Sequence, residues 1–126
     1  MLLDNHIIIS GYDDLTIDFK DYLSKKDCIV FKNCLGLNIK INSKINKLIF
    51  LNCKNINLEC SETICGIDFE KCDNAVLVPT FPYSLKCVDC YKSYLEIIID
   101  DDNQDIKDNI KIINQSSRIK ITSHKN

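Results

Sequence analysis

Cysteine recurs at a nearly fixed interval: Cys34, Cys53, Cys72 and Cys90, at steps of 19, 19 and 18 residues. The same apolar pattern surrounds each one. Five places before stand Ile29, Leu48, Ile67 and Leu85; three places before stand Phe31, Phe50, Phe69 and Cys87. Three places after stand Leu37, Ile56, Ala75 and Ser93; five places after stand Ile39, Leu58, Leu77 and Leu95. Each repeat therefore holds two short alternating runs hinged at the cysteine, which is the pattern of half-buried strands. A repeat of this length means stacked coils.

The residue two places after the cysteine is Gly36, Asn55, then Asn74. These types tolerate the left-handed backbone that a sharp corner needs. Lys92 breaks the rule in the next repeat. The N-terminal run joins in register if Tyr12 takes the corner, with Ile7, Ile9, Leu15 and Ile17 at the apolar places and Asp14 at the turn. Ile45 and Ile64 suggest a third wall. An amphipathic helix does not fit beside two alternating runs in 19 residues, and Phe, Ile, Val and Cys stand where helix formers would be needed.

These observations predict an all-β fold, a right-handed parallel β-helix of about five or six coils spaced by roughly 4.8 Å, with a C-terminal β-hairpin. Residues 1–126 form one domain. Coils run over about 7–99, an acidic loop over 100–109, and a hairpin or last coil over 110–122. Like residues then stack in ladders: Cys34, Cys53, Cys72 and Cys90 in one, Phe31, Phe50 and Phe69 in another.

The ladder changes how the cysteines read. Cys87-Val88-Asp89-Cys90 has the spacing of a redox or zinc pair. The repeat already explains both residues, with Cys87 in the Phe ladder and Cys90 at the corner. Cys60 and Cys65 flank one turn without a second pair to complete a zinc site. His6 and His124 lie near the termini. The acidic run Asp100, Asp101, Asp102, Asp105 and Asp108 does not supply two carboxyls at the defined separation of glycosidase chemistry, so it reads as a solvated turn. No catalytic, metal or cofactor site is expected.

A net charge of −2 argues against a general nucleic-acid or anionic-membrane binder. No apolar run reaches the roughly 20 residues of a membrane span, and the first residues lack the pattern of a secretory leader. Eight cysteines in such a chain fit a reducing cytoplasm. The abundance of Ile, Asn and Lys looks like AT-rich coding, as in some protists and giant viruses.

Function is expected on surfaces. Ile49 and Leu51 should face outward, covered by the segment around Phe19, Tyr22 and Leu23 or offered to a partner. Val76, Val78 and Tyr94 form a second candidate partner surface. Ile97, Ile98 and Ile99 cannot all point inward, so they are assigned with Ile110, Ile112, Ile119 and Ile121 to a homodimer interface.

The segments Asn52-Cys53-Lys54-Asn55-Ile56-Asn57-Leu58 and Lys71-Cys72-Asp73-Asn74-Ala75-Val76-Leu77-Val78 resemble coils of the C-terminal domain of cyclase-associated protein, in the tubulin-cofactor-C-like β-helices. The tail is similar too: Ser84-Leu85-Lys86-Cys87, then Ser93-Tyr94-Leu95-Glu96-Ile97-Ile98-Ile99, then an acidic loop. The resemblance covers roughly residues 28–122. It implies a non-enzymatic module that binds monomeric actin, promotes its nucleotide exchange, and dimerises by swapping the C-terminal hairpin. Two other readings stand beside it. One is a structural or assembly protein, such as a giant virus would use, built on this fold without actin. The other is a cofactor C-like activator of GTP hydrolysis, which needs an inserted arginine; Arg118 is the one arginine in the chain.

Overall fold

Alternating apolar residues punctuated by left-handed turns fold into twelve short strands among the described residues. The computed structural model describes residues 5–81, 84–100 and 104–124. The strands are β1 (Asn5–Ser10), β2 (Asp13–Asp18), β3 (Asp27–Lys32), β4 (Leu35–Ile41), β5 (Lys47–Leu51) and β6 (Lys54–Cys60). Then come β7 (Ile67–Glu70), β8 (Asp73–Pro79), β9 (Val88–Tyr91), β10 (Tyr94–Asp100), the short helix α1 (Gln104–Asp108), β11 (Ile112–Gln115) and β12 (Arg118–His124). Odd strands form one sheet in the order β1-β3-β5-β7-β9-β11, and even strands the other, β2-β4-β6-β8-β10-β12. All pairings between them are parallel. Each coil contributes one strand to each sheet, which makes a parallel β-solenoid.

The two sheets meet at the corner that the sequence marks. Asp14, Gly36, Asn55 and Asn74 all have positive φ, as do Gly11, Asn33, Asn52 and Lys71 three places earlier. Between these two left-handed residues the cysteine turns inward. Its thiol donates to the carbonyl two places back: Cys34 to Lys32 at 3.3 Å, Cys53 to Leu51 at 3.4 Å, Cys72 to Glu70 at 3.5 Å. Cys53 and Cys72 also reach carbonyls of the preceding coil, Phe31 and Phe50. A small weak donor suits a corner where a larger side chain would collide.

The interior is filled by in-register columns. Phe31 stacks on Phe50 at 4.9 Å between ring centroids, and Phe50 on Phe69 at 5.1 Å. Ile29, Leu48, Ile67 and Val88 form the next column, and all are fully buried.

Cys90 does not continue the cysteine ladder. It pairs with Phe69, and Ser93 takes the corner instead. The stretch between β8 and β9 lengthens the repeat, so the 18-residue step is a coincidence of two thiols in different columns. Ser93 performs the cysteine's role with oxygen: Oγ donates to the Tyr91 carbonyl at 3.0 Å and accepts from Cys72 N at 3.0 Å. Ser117 repeats it one coil later, donating to the Gln115 carbonyl. These two corners keep one left-handed residue each, Lys92 and Ser116. Cys87 therefore leaves the Phe ladder. It is half-buried, and its carbonyl accepts from Ile67 N at 2.9 Å.

Two further expectations change. Ile45 is fully buried but bridges to Thr63, which leaves Ile64 48% exposed. The C-terminal segment makes no hairpin: β11 pairs with β9 and β12 with β10, both parallel, so it is the last coil. Within the acidic loop, α1 drives Ile106 into the core at 2% exposure; residues 101–103 lie outside the described residues.

Candidate interaction surfaces

Alternation places every second strand residue outside, and coil stacking lines these up into columns. On the outer face of the odd sheet one column runs Ile8, Val30, Ile49, Asp68, Asp89, Ile113. Its neighbour runs Ser10, Lys32, Leu51, Glu70, Tyr91, Gln115. The face is thus apolar in its first half and acidic in its second. Ile49 and Leu51 are half-buried. Phe19 and Leu23 pack against the interior cluster, and Tyr22 stands 80% exposed.

In the acidic half, Asp68, Glu70, Asp89, Tyr91 and Gln115 line an open groove of about 330 Å³. Lys47 Nζ sits 3.0 Å from Asp68, and that hydrogen bond raises the lysine pKa. Gln115 Nε2 donates to Asp89 at 3.2 Å.

The outer face of the even sheet carries Val76 and Val78 beside Asn38, Asn57, Lys40 and Glu59, around a groove of about 280 Å³. Ile98 extends it, half-buried, with Glu96 holding Thr122 at 3.1 Å and Lys120 at 3.7 Å. Val78 is 36% and Tyr94 37% exposed. The structure therefore brings Val76, Val78 and Ile98 together. Ile49 and Leu51 lie on the opposite sheet.

Ile97 and Ile99 are fully buried inside the stack, so within one chain they are core residues and not an exposed edge. The reason is that β12 continues the sheet beyond β10, so β10 is an interior strand. Ile110, Ile112 and Ile119 pack partly buried against the core at the C-terminal end, and Ile121 is 50% exposed there.

Sequence reasoning missed one feature. Lys71, Lys92 and Arg118 gather with Asp73, Tyr94 and Ser116 around a corner groove of about 410 Å³. Lys92 lies over the Tyr91 ring at 5.3 Å and Arg118 over the Tyr94 ring at 5.6 Å. Paired Tyr-Lys and Tyr-Arg positions in successive coils become visible only once Ser93 is set at the corner.

The cysteines carry thiols whose reactivity follows their burial. Burial and then the Asp89 and Asp68 charges push Cys90 up to about 12; burial, then Glu59, pushes Cys60 up to about 12. Neither is a ready nucleophile, since the thiolate is the reactive form. Among the described residues, no group of three or more His, Cys, Asp and Glu side chains could hold a metal ion, and no helix is long and apolar enough to cross a membrane.

The family described as adenylate cyclase associated (CAP) C terminal matches residues 2–81. The match begins with the N-terminal coil and covers β1 to β8, leaving the last two coils outside it. Among curated proteins none matches the chain. With a family match over more than half its length, the chain belongs to the family of cyclase-associated protein C-terminal domains.

Proposed function

We propose that this chain is a non-enzymatic protein-binding module that binds monomeric actin and promotes its nucleotide exchange. The observation that carries the reading is the family match over the first eight strands. Two broad sheet faces with different side-chain patterns, one half acidic on the odd sheet and one apolar with polar flanks on the even sheet, support it. The partner face we assign is the even sheet, where exposed Val78 and Tyr94 and half-buried Val76 stand among polar groups. The odd face, with Ile49 and Leu51, is the second. A cytoplasmic location follows from this partner.

The same reading includes a homodimer formed by exchange of the C-terminal strands. Ile110, Ile112, Ile119 and Ile121 would fill on the partner's stack the columns that they fill here. The helix α1 lies in the connection between the retained and the exchanged strands.

The test is release of a fluorescent nucleotide from actin monomers, together with a direct binding measurement. Faster release, lost on Val76→Asp with Val78→Asp, is the expected outcome. No binding at about 50 µM, a Kd too weak to matter at that level, would remove the actin reading. Light scattering tests the dimer, and a monomer at high micromolar concentration would remove it.

One observation favours the assembly-protein reading beside it. Among the described residues both ends of the stack are unpaired strand edges with half-buried apolar residues, Leu15 and Ile17 at one and Ile112 and Ile119 at the other, which suits a chain that associates end to end.

A further inference from the structure

A solenoid of this kind has two ends, and among the described residues each end is an unpaired strand edge: β1 and β2 at one, β11 and β12 at the other. Such edges are templates for pairing with another chain, and proteins usually blunt them with charge or cover. Here the charges on the two edges are opposite. The β2 edge reads Asp13-Asp14-Leu15-Thr16-Ile17-Asp18, and the β12 edge reads Arg118-Ile119-Lys120-Ile121-Thr122. Leu15 and Ile17 are half-buried while Asp13, Asp14 and Asp18 are exposed; Ile119 is half-buried while Arg118, Lys120 and Ile121 are exposed.

We propose that the β2 edge of one copy stacks on the β12 edge of another, so that the solenoid continues from chain to chain. The register follows from the columns already in the fold. Leu15 and Ile17 head the columns that end at Ile119 and Ile121. Ile7 heads the column that ends at Ile112. Continuing these columns sets Ile119 on Leu15, Ile121 on Ile17 and Ile112 on Ile7. It sets Arg118 beside Asp14. One column mismatches: Asn114 meets Ile9, although the Asn114 side chain already accepts from Ser117 N at 2.9 Å.

Charge selects this geometry over the symmetric ones. Joining two β12 edges brings Arg118 and Lys120 of both copies onto one seam, and joining two β2 edges gathers Asp13, Asp14 and Asp18 of both. Only the head-to-tail contact pairs opposite signs, and a heterologous contact that does not close grows without limit. Exchange of the C-terminal strands would leave this end as it is, because the exchanged element occupies the same place on the partner's stack. The inference therefore stands apart from actin binding and adds to the dimer.

Sedimentation velocity of the full chain over a wide concentration range is the test. The expected result is a weight-average mass that climbs past two chains as concentration rises, and falls back in high salt, where charge pairs are screened. Ile17→Lys and Ile121→Asp should each stop growth, and an equimolar mixture of the two should restore larger species. The exchange of charges, Asp14→Lys with Arg118→Asp, serves the same purpose at exposed side chains, should either core-edge variant fail to fold. Each of these singly should lower growth and the double variant should recover it. A wild-type mass that stops at one or two chains at every concentration overturns the proposal. So does a mixture no larger than its components, or a double variant that recovers nothing.

Discussion

Asn74 reaches one coil along the stack and donates from Nδ2 to Oδ1 of Asn55 at 2.7 Å. Both residues have φ of 56°, in the left-handed region that most side chains avoid. Asn52 and Asn33 repeat the arrangement at 2.8 Å on the other side of the corner. Each asparagine thus does two jobs: it tolerates the turn, and it ties the turn to its neighbour.

Replacing Asn74 separates these jobs. Asn74→Ala loses the hydrogen bond and puts in the left-handed region a residue that tolerates it less well than asparagine, so it should cost about 1–2 kcal/mol. Asn74→Gly keeps the turn and loses only the bond, for about 0.5–1 kcal/mol net of its greater unfolded-state freedom. Urea unfolding of the two variants checks the order; alanine equal to or more stable than glycine would contradict it.

Phe50 lies between Phe31 and Phe69 with ring planes within 6° and 9° of parallel, and it is fully buried. Its removal breaks the aromatic column at the centre. Phe50→Ala should cost about 3–5 kcal/mol, the range for large-to-small changes in a rigid core. Phe50→Leu should cost clearly less, because it retains most of the volume. The comparison is again a denaturant midpoint at unchanged slope.

Gly66 shows a constraint of another kind. Its φ is 95°, and a β-carbon there would meet the Cys87 carbonyl oxygen at 2.3 Å. That carbonyl accepts the Ile67 N–H, the bond that registers β7 with the following coil. Gly66→Ala must therefore strain the backbone and push this bond apart, at about 2–4 kcal/mol. A thermal midpoint within a degree or two of wild type would show that the chain between β8 and β9 yields more easily than its contacts suggest.

The parts of the fold that the sequence made legible are those where side-chain type and backbone conformation agree. Gly36, Asn55 and Asn74 stand where positive φ is needed, and Phe31, Phe50 and Phe69 stack fully buried in one interior column. Tyr12 as the first corner follows from the same logic and holds. Legibility ends where the repeat lengthens. Beyond Pro79 the period is no longer 19, and a thiol at the expected distance, Cys90, belongs to another column. Ser93 does the corner's work through a hydroxyl, which a search for cysteine passes over. The isoleucine run misled for a related reason. Ile97 and Ile99 look like an exposed edge only if β12 pairs with β11 and leaves β10 at the border. Surface grooves were less legible still, because they join residues such as Lys71, Lys92 and Arg118 whose neighbourhood depends on that shifted register.

The buried thiols make the stack sensitive to alkali. Cys60 and Cys90 are both pushed up to about 12 by burial from an ordinary value of 9.0, and burial raises Cys34 as well. A thiol with a higher pKa in the folded state than in the unfolded chain favours folding in its neutral form. Below pH 9.0 both states keep the proton and the stabilisation is complete. Above it the unfolded chain ionises first, so stability falls from 9.0 toward about 12, where the folded thiols also ionise. Urea midpoints measured from pH 7 to 11 should therefore decline mainly above 9. Cys60→Ala and Cys90→Ala should each be less stable at pH 7, from the lost packing, yet show a shallower alkaline decline. Alkylation gives an independent reading. Cys65 is exposed and Cys87 half-buried, whereas the other six thiols are buried. Native protein at pH 8 should take up label at these two and at the rest only on unfolding. Rapid labelling of Cys53 or Cys72 in the folded chain would mean that the corner ladder opens, and with it the register on which the stack depends.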